Sequence, residues 1–151
     1  MEFPLFPEES TEPTVSFYCE DVELELPQEV DLANWLLTIP KTENKSCTEV
    51  NFIFCSDERL REINIEYLDH DYFTDVITFP YSEEPVSGDV FISTDRVKEN
   101  AGDNGVTFEI ELCRVMAHGM LHLSGYDDKS PEKKLEMTAR EDFYLRSCPV
   151  F

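Results

Sequence analysis

Hydrophobic residues alternate with polar ones over residues 15–19 and again over residues 22–26. A period of two is typical of half-buried strands, so both segments are predicted to be strands. The pattern then changes to helical spacing, which predicts a helix from Asp31, as its capping residue, to Ile39. Pro40 is expected to end this helix, because the residue before a proline disfavours the helical conformation.

The middle of the chain contains three more strand-like segments. Residues 50–55, 76–79 and 88–93 are runs of β-branched and aromatic residues, which favour buried strands. Pro80 is expected to stop the second of these strands. With the N-terminal strands, this order predicts an α+β (mixed α/β) domain whose single small mixed sheet of about four strands has helices packed on it.

Helix starts are marked by short polar residues. Helices are predicted after Ser56 or Asp57, after Ser93 or Thr94, and after Ser130, which Pro131 follows at a position suited to the first turn. Residues 101–105 are predicted to be a glycine-containing loop. The clearest helical spacing covers residues 107–123, which Gly125 ends. Apolar side chains of the helices are predicted to be core, among them Trp35, Met116 and Met120.

Length and charge bound the function. The chain of 151 residues suits one domain, predicted at 14–151 after a flexible acidic arm at 1–13. There are 33 acidic and 12 basic residues, a net charge of −21, and ten of the acids precede Lys41. This charge excludes a protein that wraps nucleic acid through a basic surface. The acidic quarter is either a solvated face that aids solubility or a docking surface for a basic partner.

The location is predicted to be cytoplasmic, with no contact to membranes. No apolar run approaches the roughly 18 residues of a membrane span, and the N-terminus lacks the basic start and apolar run of a signal peptide. Five widely spaced cysteines without a Cys-x-x-Cys pair are predicted to be free thiols in a reducing compartment.

Two of the three histidines lie four residues apart on the best predicted helix. His118 and His122 therefore project from one face, one turn apart, which is a spacing that binds Zn²⁺. Gly125 breaks the helix, and Asp128 follows it as a third candidate ligand. Three protein ligands leave one position open for water, as in catalytic zinc sites. In the competing interpretation Asp128 only caps the turn, and Asp127 competes for the ligand role.

This frame, His-x₃-His with a glycine and a further ligand behind it, resembles the zinc motif of metzincin proteases. The metzincin helix carries a general-base glutamate directly after its first histidine. In this chain that position is Gly119. Peptide hydrolysis would therefore lack its expected base, which argues against a protease.

Three blocks of the sequence resemble the YbeY family of metal-dependent endoribonucleases. Residues 118–128, HGMLHLSGYDD, are similar to the family motif HGxLHLxGYDH. Asn64 and Tyr67 followed by residues 74–80, TDVITFP, resemble N-x-x-Y…TDVLSFP, and residues 88–93, GDVFIS, resemble GD[IV]xIS. The blocks occur in the family's order.

The resemblance implies a zincin-like metal helix and one Zn²⁺ per chain, held by His118, His122 and Asp128. It implies a single-strand-specific endoribonuclease that acts in 16S rRNA 3′ end maturation and ribosome quality control. Ribosomal RNA and proteins of the small ribosomal subunit would be its partners. Asp75 and Asp127 are candidate proton acceptors, and the metal itself is an alternative means of activating water. Because of the net charge, free RNA is expected to bind weakly, and targeting would come from protein contacts.

Two positions depart from the family. Asp128 stands where the family has its third metal-binding histidine, and Leu68 stands where it usually has an arginine suited to phosphate contact. His70 is a partial substitute or a surface histidine. The nearby basic residues are solvated helix residues or phosphate contacts: Lys129, Lys133, Lys134, Arg114 and Arg140. The alternative functions are a non-catalytic metal-binding ribosome-assembly factor and another metal-dependent hydrolase of the same fold.

Overall fold

A computed structural model describes residues 12–149 of the chain. Its elements are β1 (Thr14–Cys19), α1 (Glu29–Thr42), β2 (Cys47–Cys55), α2 (Asp57–Leu68), β3 (Val76–Glu83), β4 (Val86–Ser93), α3 (Thr94–Asn104), α4 (Phe108–Leu123) and α5 (Pro131–Leu145). Almost all of the arm predicted at residues 1–13 lies outside the described residues.

The four strands form one mixed sheet in the order β1-β2-β4-β3. β1, β2 and β4 run parallel, and β3 pairs antiparallel with β4 at one edge. Parallel neighbours need a crossover connection, which α1 supplies between β1 and β2. The predicted α+β fold with a small mixed sheet is therefore confirmed.

The two faces of the sheet are covered unequally. The larger core lies on the face that α4 covers, and it contains the predicted core residues Trp35, Met116 and Met120. The indole Nε1 of Trp35 donates to the carbonyl of Tyr144 at 2.9 Å, which ties α1 to α5. The opposite face carries α2 and a small buried cluster: Cys55, Leu60, Ile63 and Ile77. The site described below lies on the α4 side.

Polar residues cap four of the helices as their chemistry requires. The side chains of Ser56, Ser93, Thr107 and Ser130 each accept a hydrogen bond from the backbone N–H three residues later. Each bond satisfies a donor that the first turn leaves without a partner. The structure selects Ser56 over Asp57 and Ser93 over Thr94.

The predicted strand over residues 22–26 is wrong. These residues lie outside the sheet, yet Val22, Leu24 and Leu26 are half-buried and pack against the main core, while the residues between them are exposed. The alternation reports which side chains face the core. It does not supply a neighbouring strand with free backbone groups, so no ladder forms.

The predicted boundaries of α1 and β3 also differ from the structure. Pro40 lies inside α1, which begins at Glu29 rather than at Asp31 and continues to Thr42. The proline removes one backbone donor, while Glu43 and Lys45 still bond to the carbonyls of Ile39 and Pro40. Pro80 lies inside β3, which tolerates a proline because it is an edge strand with a register shift there.

The predicted loop over residues 101–105 is helical up to Asn104. Gly105 caps the end of α3, and its φ of 65° is the left-handed conformation that glycine adopts without strain. Each of the five cysteines, all within the described residues, is a thiol outside any disulfide bond, in agreement with the prediction. Within residues 12–149, none of the helices combines the length and the apolar character needed to cross a membrane.

Candidate metal centre

Helix α4 brings His118 and His122 together. Its apolar positions are buried against the sheet and the neighbouring helices, which fixes the rotation of the helix and leaves both imidazoles half-buried on the opposite stripe. Their Nε2 atoms are 2.9 Å apart. The spacing in the sequence is thus realised as a pair of ring nitrogens that point at one another.

Gly119 directly follows His118 in α4 and sets how closely this helix approaches the sheet. A Cβ atom built on Gly119 would lie 2.6 Å from Cγ1 of Val90 in β4, which is closer than carbon atoms approach. The position that carries a glutamate in metzincins therefore faces the sheet here and not the histidines. A general base at this position is excluded by packing as well as by the residue type.

The turn after α4 returns the chain to the histidines. Gly125 has a φ of 109°, where a side chain would be strained, and the N–H of Tyr126 bonds back to the carbonyl of Leu121. Asp128 then places its Oδ2 atom 3.7 Å from the Nε2 atoms of both His118 and His122. The three candidate ligand atoms lie within 4.8 Å of one another.

The outer nitrogens of both rings are held by acceptors. Nδ1 of His118 lies 2.7 Å from a carboxylate oxygen of Glu141, and Nδ1 of His122 lies 3.0 Å from the carbonyl oxygen of Tyr126. An acceptor requires Nδ1 to carry the proton, so each neutral ring presents its Nε2 lone pair to the shared space. This is how outer carboxylates and carbonyls orient metal-binding histidines.

The donor set fits a divalent cation. Two Nε2 lone pairs and a carboxylate oxygen face one another, and such acceptors repel unless a proton or a cation lies between them. Bonds of about 2.0–2.1 Å in tetrahedral geometry separate ligand atoms by about 3.3 Å, close to the separations of 2.9 and 3.7 Å seen here. Two imidazoles and a carboxylate are ligands that suit Zn²⁺.

The two imidazoles differ in proton affinity. Burial lowers the pKa of His118, but the hydrogen bond and charge of Glu141, with Asp128 and Asp75, outweigh burial and raise it overall. Burial and the neighbouring His118 lower the pKa of His122. A proton on His118 would be the donor between the rings in the absence of a cation, and a cation competes with it for the same lone pairs.

Glu43, directly after α1, holds the turn that follows α4 through hydrogen bonds from tyrosine hydroxyls. Its carboxylate accepts hydrogen bonds from the hydroxyls of Tyr126, at 2.6 Å, and of Tyr144. The hydrogen bond to Glu43 raises the pKa of Tyr126, as does partial burial. Because the carbonyl of Tyr126 holds His122, Glu43 links the first helix to the orientation of that candidate ligand.

An open cleft of about 270 Å³ lies beside His118. Its lining is mostly acidic: Asp75, Glu111, Asp128, Glu141, Arg114, Val115 and His118. Burial raises the pKa of Glu111. Asp75, one of the two candidate proton acceptors, thus opens onto the same space as His118 and Asp128.

The other candidate acceptor points elsewhere. Asp127 accepts from Nζ of Lys133 at 2.9 Å and from the backbone N–H of Lys129 at 3.0 Å. These contacts lower the pKa of Asp127, with the Lys129 bond first. It lines a separate depression with Lys133 and Glu136. Its role as an acceptor stays a prediction that this orientation does not favour.

The two positions expected to matter for phosphate contact are not brought to the cleft. Leu68 is exposed at the end of α2. His70 stacks on Tyr72 with ring centroids 5.3 Å apart, and its Nδ1 lies 3.1 Å from the Tyr72 hydroxyl. Neither lines the cleft beside His118.

Sequence reasoning did not identify Glu43 and Glu141. Glu141 carried a weak signal, because it occupies an otherwise apolar stripe of α5 with Met137, Tyr144 and Leu145, and an acid there must have a partner. Glu43 carried no signal, since its partners are 83 and 101 residues away.

The fold and the site define an α+β protein with a His-His-Asp group, suited to a metal ion, at an open cleft. The family model for Endoribonuclease YbeY matches residues 15–148, and the chain belongs to the YbeY family. It is 50% identical over 136 residues to the Endoribonuclease YbeY of Cytophaga hutchinsonii, covering 89% of this chain and 95% of that one. It is 48% identical over 133 residues to that of Flavobacterium psychrophilum, covering 87% and 94%.

A solved structure agrees with the fold. The solution structure of TM1509 from Thermotoga maritima aligns with a TM-score of 0.60 and 32% identity. The alignment covers 87% of each chain. The family predicted from three short sequence blocks is therefore confirmed over most of the chain.

Proposed function

We propose that this protein is a metal-dependent endoribonuclease that cuts single-stranded RNA at the cleft beside His118. The observation that carries the proposal is the meeting of three acceptor atoms, from His118, His122 and Asp128, at an open cleft. Relatives that align over most of the chain bear the name Endoribonuclease YbeY. Zn²⁺ is the proposed ion, because the donor set is nitrogen and carboxylate.

Each residue of the site has a defined task. A divalent ion in this site would act as a Lewis acid toward a phosphoryl oxygen and lower the pKa of water. Glu141 and the carbonyl of Tyr126 keep the Nε2 atoms of His118 and His122 directed at the site. Asp75 is the proposed proton acceptor, because it lines the cleft. Asn100 donates to its carboxylate at 3.4 Å and orients it.

The biological substrate is proposed from the family resemblance. We propose 16S rRNA, cut in maturation of its 3′ end and in ribosome quality control in the cytoplasm, with proteins of the small subunit as partners. The acidic cleft and the net charge of −21 support this use of partners, because the protein offers little electrostatic attraction for free RNA.

The test is cleavage by purified, zinc-loaded protein. A single-stranded transcript that spans the 3′ end of 16S rRNA should be cut, while the same sequence annealed to its complement should not. His118→Ala and His122→Ala should abolish cleavage. A matched control is His70→Ala, which removes a histidine outside the cleft and should leave cleavage unchanged.

The outcomes separate the alternatives. One equivalent of zinc without cleavage of any RNA would contradict the nuclease and favour a non-catalytic metal-binding assembly factor. Cleavage that survives both His118→Ala and His122→Ala would contradict the metal mechanism. Equal cleavage of the 16S transcript and an unrelated single strand would leave the nuclease intact and would agree with targeting by protein partners, whereas strong preference for the bare 16S transcript would contradict it.

A further inference from the structure

The cleft beside His118 poses an electrostatic problem for any RNA substrate. Its lining includes four carboxylates: Asp75, Glu111, Asp128 and Glu141. A phosphodiester that enters this space meets like charge, and the family's usual arginine is replaced by the exposed Leu68. Among the described residues that line the cleft, Arg114 is the one with a permanent positive charge.

Arg114 is held rigidly beside the candidate metal ligands. It lies one turn before His118 on α4, and its side chain is 30% exposed. Nη1 donates to Glu141 at 3.0 Å and Nη2 donates to Asp142 at 2.6 Å. The other oxygen of Glu141 binds Nδ1 of His118. One buried carboxylate therefore fixes both the guanidinium and the first candidate ligand.

The guanidinium retains donors for a substrate. An arginine has five N–H groups, and the two ion-pair contacts use two of them. A fork of parallel N–H donors matches two oxygens of a phosphate, which a lysine does not. Because Glu141 and Asp142 hold the side chain, little conformational freedom remains to be lost when a phosphate binds.

Three other basic side chains near the site are occupied elsewhere. Arg140 lies over the ring of Tyr126 and near Glu43, at 5.8 and 3.7 Å. Lys133 pairs with Asp127. Arg96 lies over the Phe73 ring and pairs with Asp57. None of the three lines the cleft beside His118.

We infer that Arg114 contacts the RNA phosphate in the cleft, in a chain that has Leu68 where the family usually has an arginine. The inference rests on the proposed nuclease function. The guanidinium of Arg114 would bind the phosphate next to the metal ligands and stabilise the negative charge that grows on the phosphoryl oxygens during hydrolysis.

The principal variant is Arg114→Gln, with Arg59→Gln as its matched control. Arg59 is 34% exposed and also pairs with two carboxylates, Glu20 and Glu62, but it lies on the α2 side of the sheet. Arg114→Gln should lower kcat/KM for single-stranded RNA by about 100-fold, with zinc stoichiometry unchanged. Arg59→Gln should leave both quantities within about twofold.

Binding gives a readout that does not depend on cleavage. A fluorescent single-stranded RNA is titrated, at several salt concentrations, with protein from which a chelator has removed metal ions. Removal of one phosphate contact should reduce the slope of log K against log salt by about 0.7 for a single strand. An unchanged slope in Arg114→Gln would overturn the inference.

Asp142→Asn tests the same contact in the opposite direction. Asp142 is exposed and its charge lies beside Nη2, where it weakens the attraction of the guanidinium for a phosphate. Its neutralisation should therefore tighten RNA binding when Arg114 is present. In an Arg114→Gln background, Asp142→Asn should have a clearly smaller effect. Equal effects in both backgrounds would show that only the general charge of the surface matters, which contradicts the inference.

A further variant separates the charge of Arg114 from its fork of donors, and two outcomes separate this inference from the proposed function. Arg114→Lys keeps the charge near Glu141 and should bind RNA with a nearly normal salt slope but cut it about 10-fold more slowly, since the fork is lost. A wild-type protein that cuts no RNA refutes the proposed function. If the wild-type protein cuts RNA and Arg114→Gln cuts it equally well, this inference is refuted and the proposed function stands.

Discussion

Each face of the sheet carries an arginine paired with two carboxylates, but the α4 face also carries the candidate metal ligands. On the α2 side, Arg59 pairs with Glu20 and Glu62, and Asp89 accepts from Tyr81 and Asn51. On the α4 side, Arg114 pairs with Glu141 and Asp142, yet acceptor atoms of His118, His122 and Asp128 also face one another.

The difference lies in how acceptors are matched with donors. On the α2 side, a donor lies opposite each of the acceptors just named, so the charges form an ordinary surface network with modest energetic value. On the α4 side, three acceptors converge at a half-buried point, which is stable only with a proton or a cation between them. Convergence of unmatched acceptors, rather than charge alone, therefore marks the candidate metal site.

The largest expected effect is a difference between two neighbouring aspartates in the turn after α4. Asp128→Ala should lower zinc affinity at least about 100-fold, because loss of even an outer partner of a metal ligand typically costs about 10–100-fold. Asp127→Ala is the matched control and should bind zinc normally, since Asp127 faces Lys133. Zinc affinity is measured by competition with a chromophoric chelator. Unchanged affinity in Asp128→Ala would show that the third ligand is another residue.

Glu141→Gln is expected to weaken zinc binding by about 10–100-fold, because a neutral amide orients and polarises His118 less well than a carboxylate. Glu20→Gln provides the comparison on the α2 side, where Glu20 accepts from Arg59 at 2.7 Å. It should leave zinc affinity unchanged. The same chelator competition measures both variants, and equal losses would refute the link between Glu141 and the metal site.

Gly119→Ala should lower the free energy of unfolding by about 1–3 kcal/mol, because its Cβ would overlap Val90 and push α4 from the sheet. Gly102→Ala in α3 meets no atom within 4 Å and should raise that free energy by about 0.5–1 kcal/mol. Urea unfolding of the two variants measures the difference. The same sign for both would contradict the close packing of the metal helix.

The smallest effect concerns the α2 side and its pH dependence. Hydrogen bonds from Ser56 lower the pKa of Asp21 below its ordinary value of 3.8. A lowered carboxyl pKa adds stability above the unfolded pKa, and this stability is lost as the pH falls through the folded pKa. Asp21→Asn should therefore lose less stability than the wild type between about pH 5 and pH 3. Thermal melts across this range provide the measurement, and parallel curves would contradict the assignment.

Much of the fold followed from local patterns. The caps at Ser56, Ser93 and Ser130 act between residues three positions apart, so their chemistry is complete in the sequence. The alternation over residues 22–26 was equally clear and still misled. It recorded burial correctly, but a strand also needs a partner, and no local pattern contains that partner.

The candidate site also has parts that the sequence determined and parts that only the tertiary structure revealed. By itself the sequence determined the pair His118 and His122, the glycine turn after them and the family, because these depend on helical spacing and short motifs. Only the tertiary structure showed that Asp128, rather than Asp127, lies beside the two histidines, that Glu141 holds His118 and that Glu43 holds Tyr126. Those contacts depend on α1, α4 and α5 packing together on one face of the sheet, where residues far apart in the chain become neighbours.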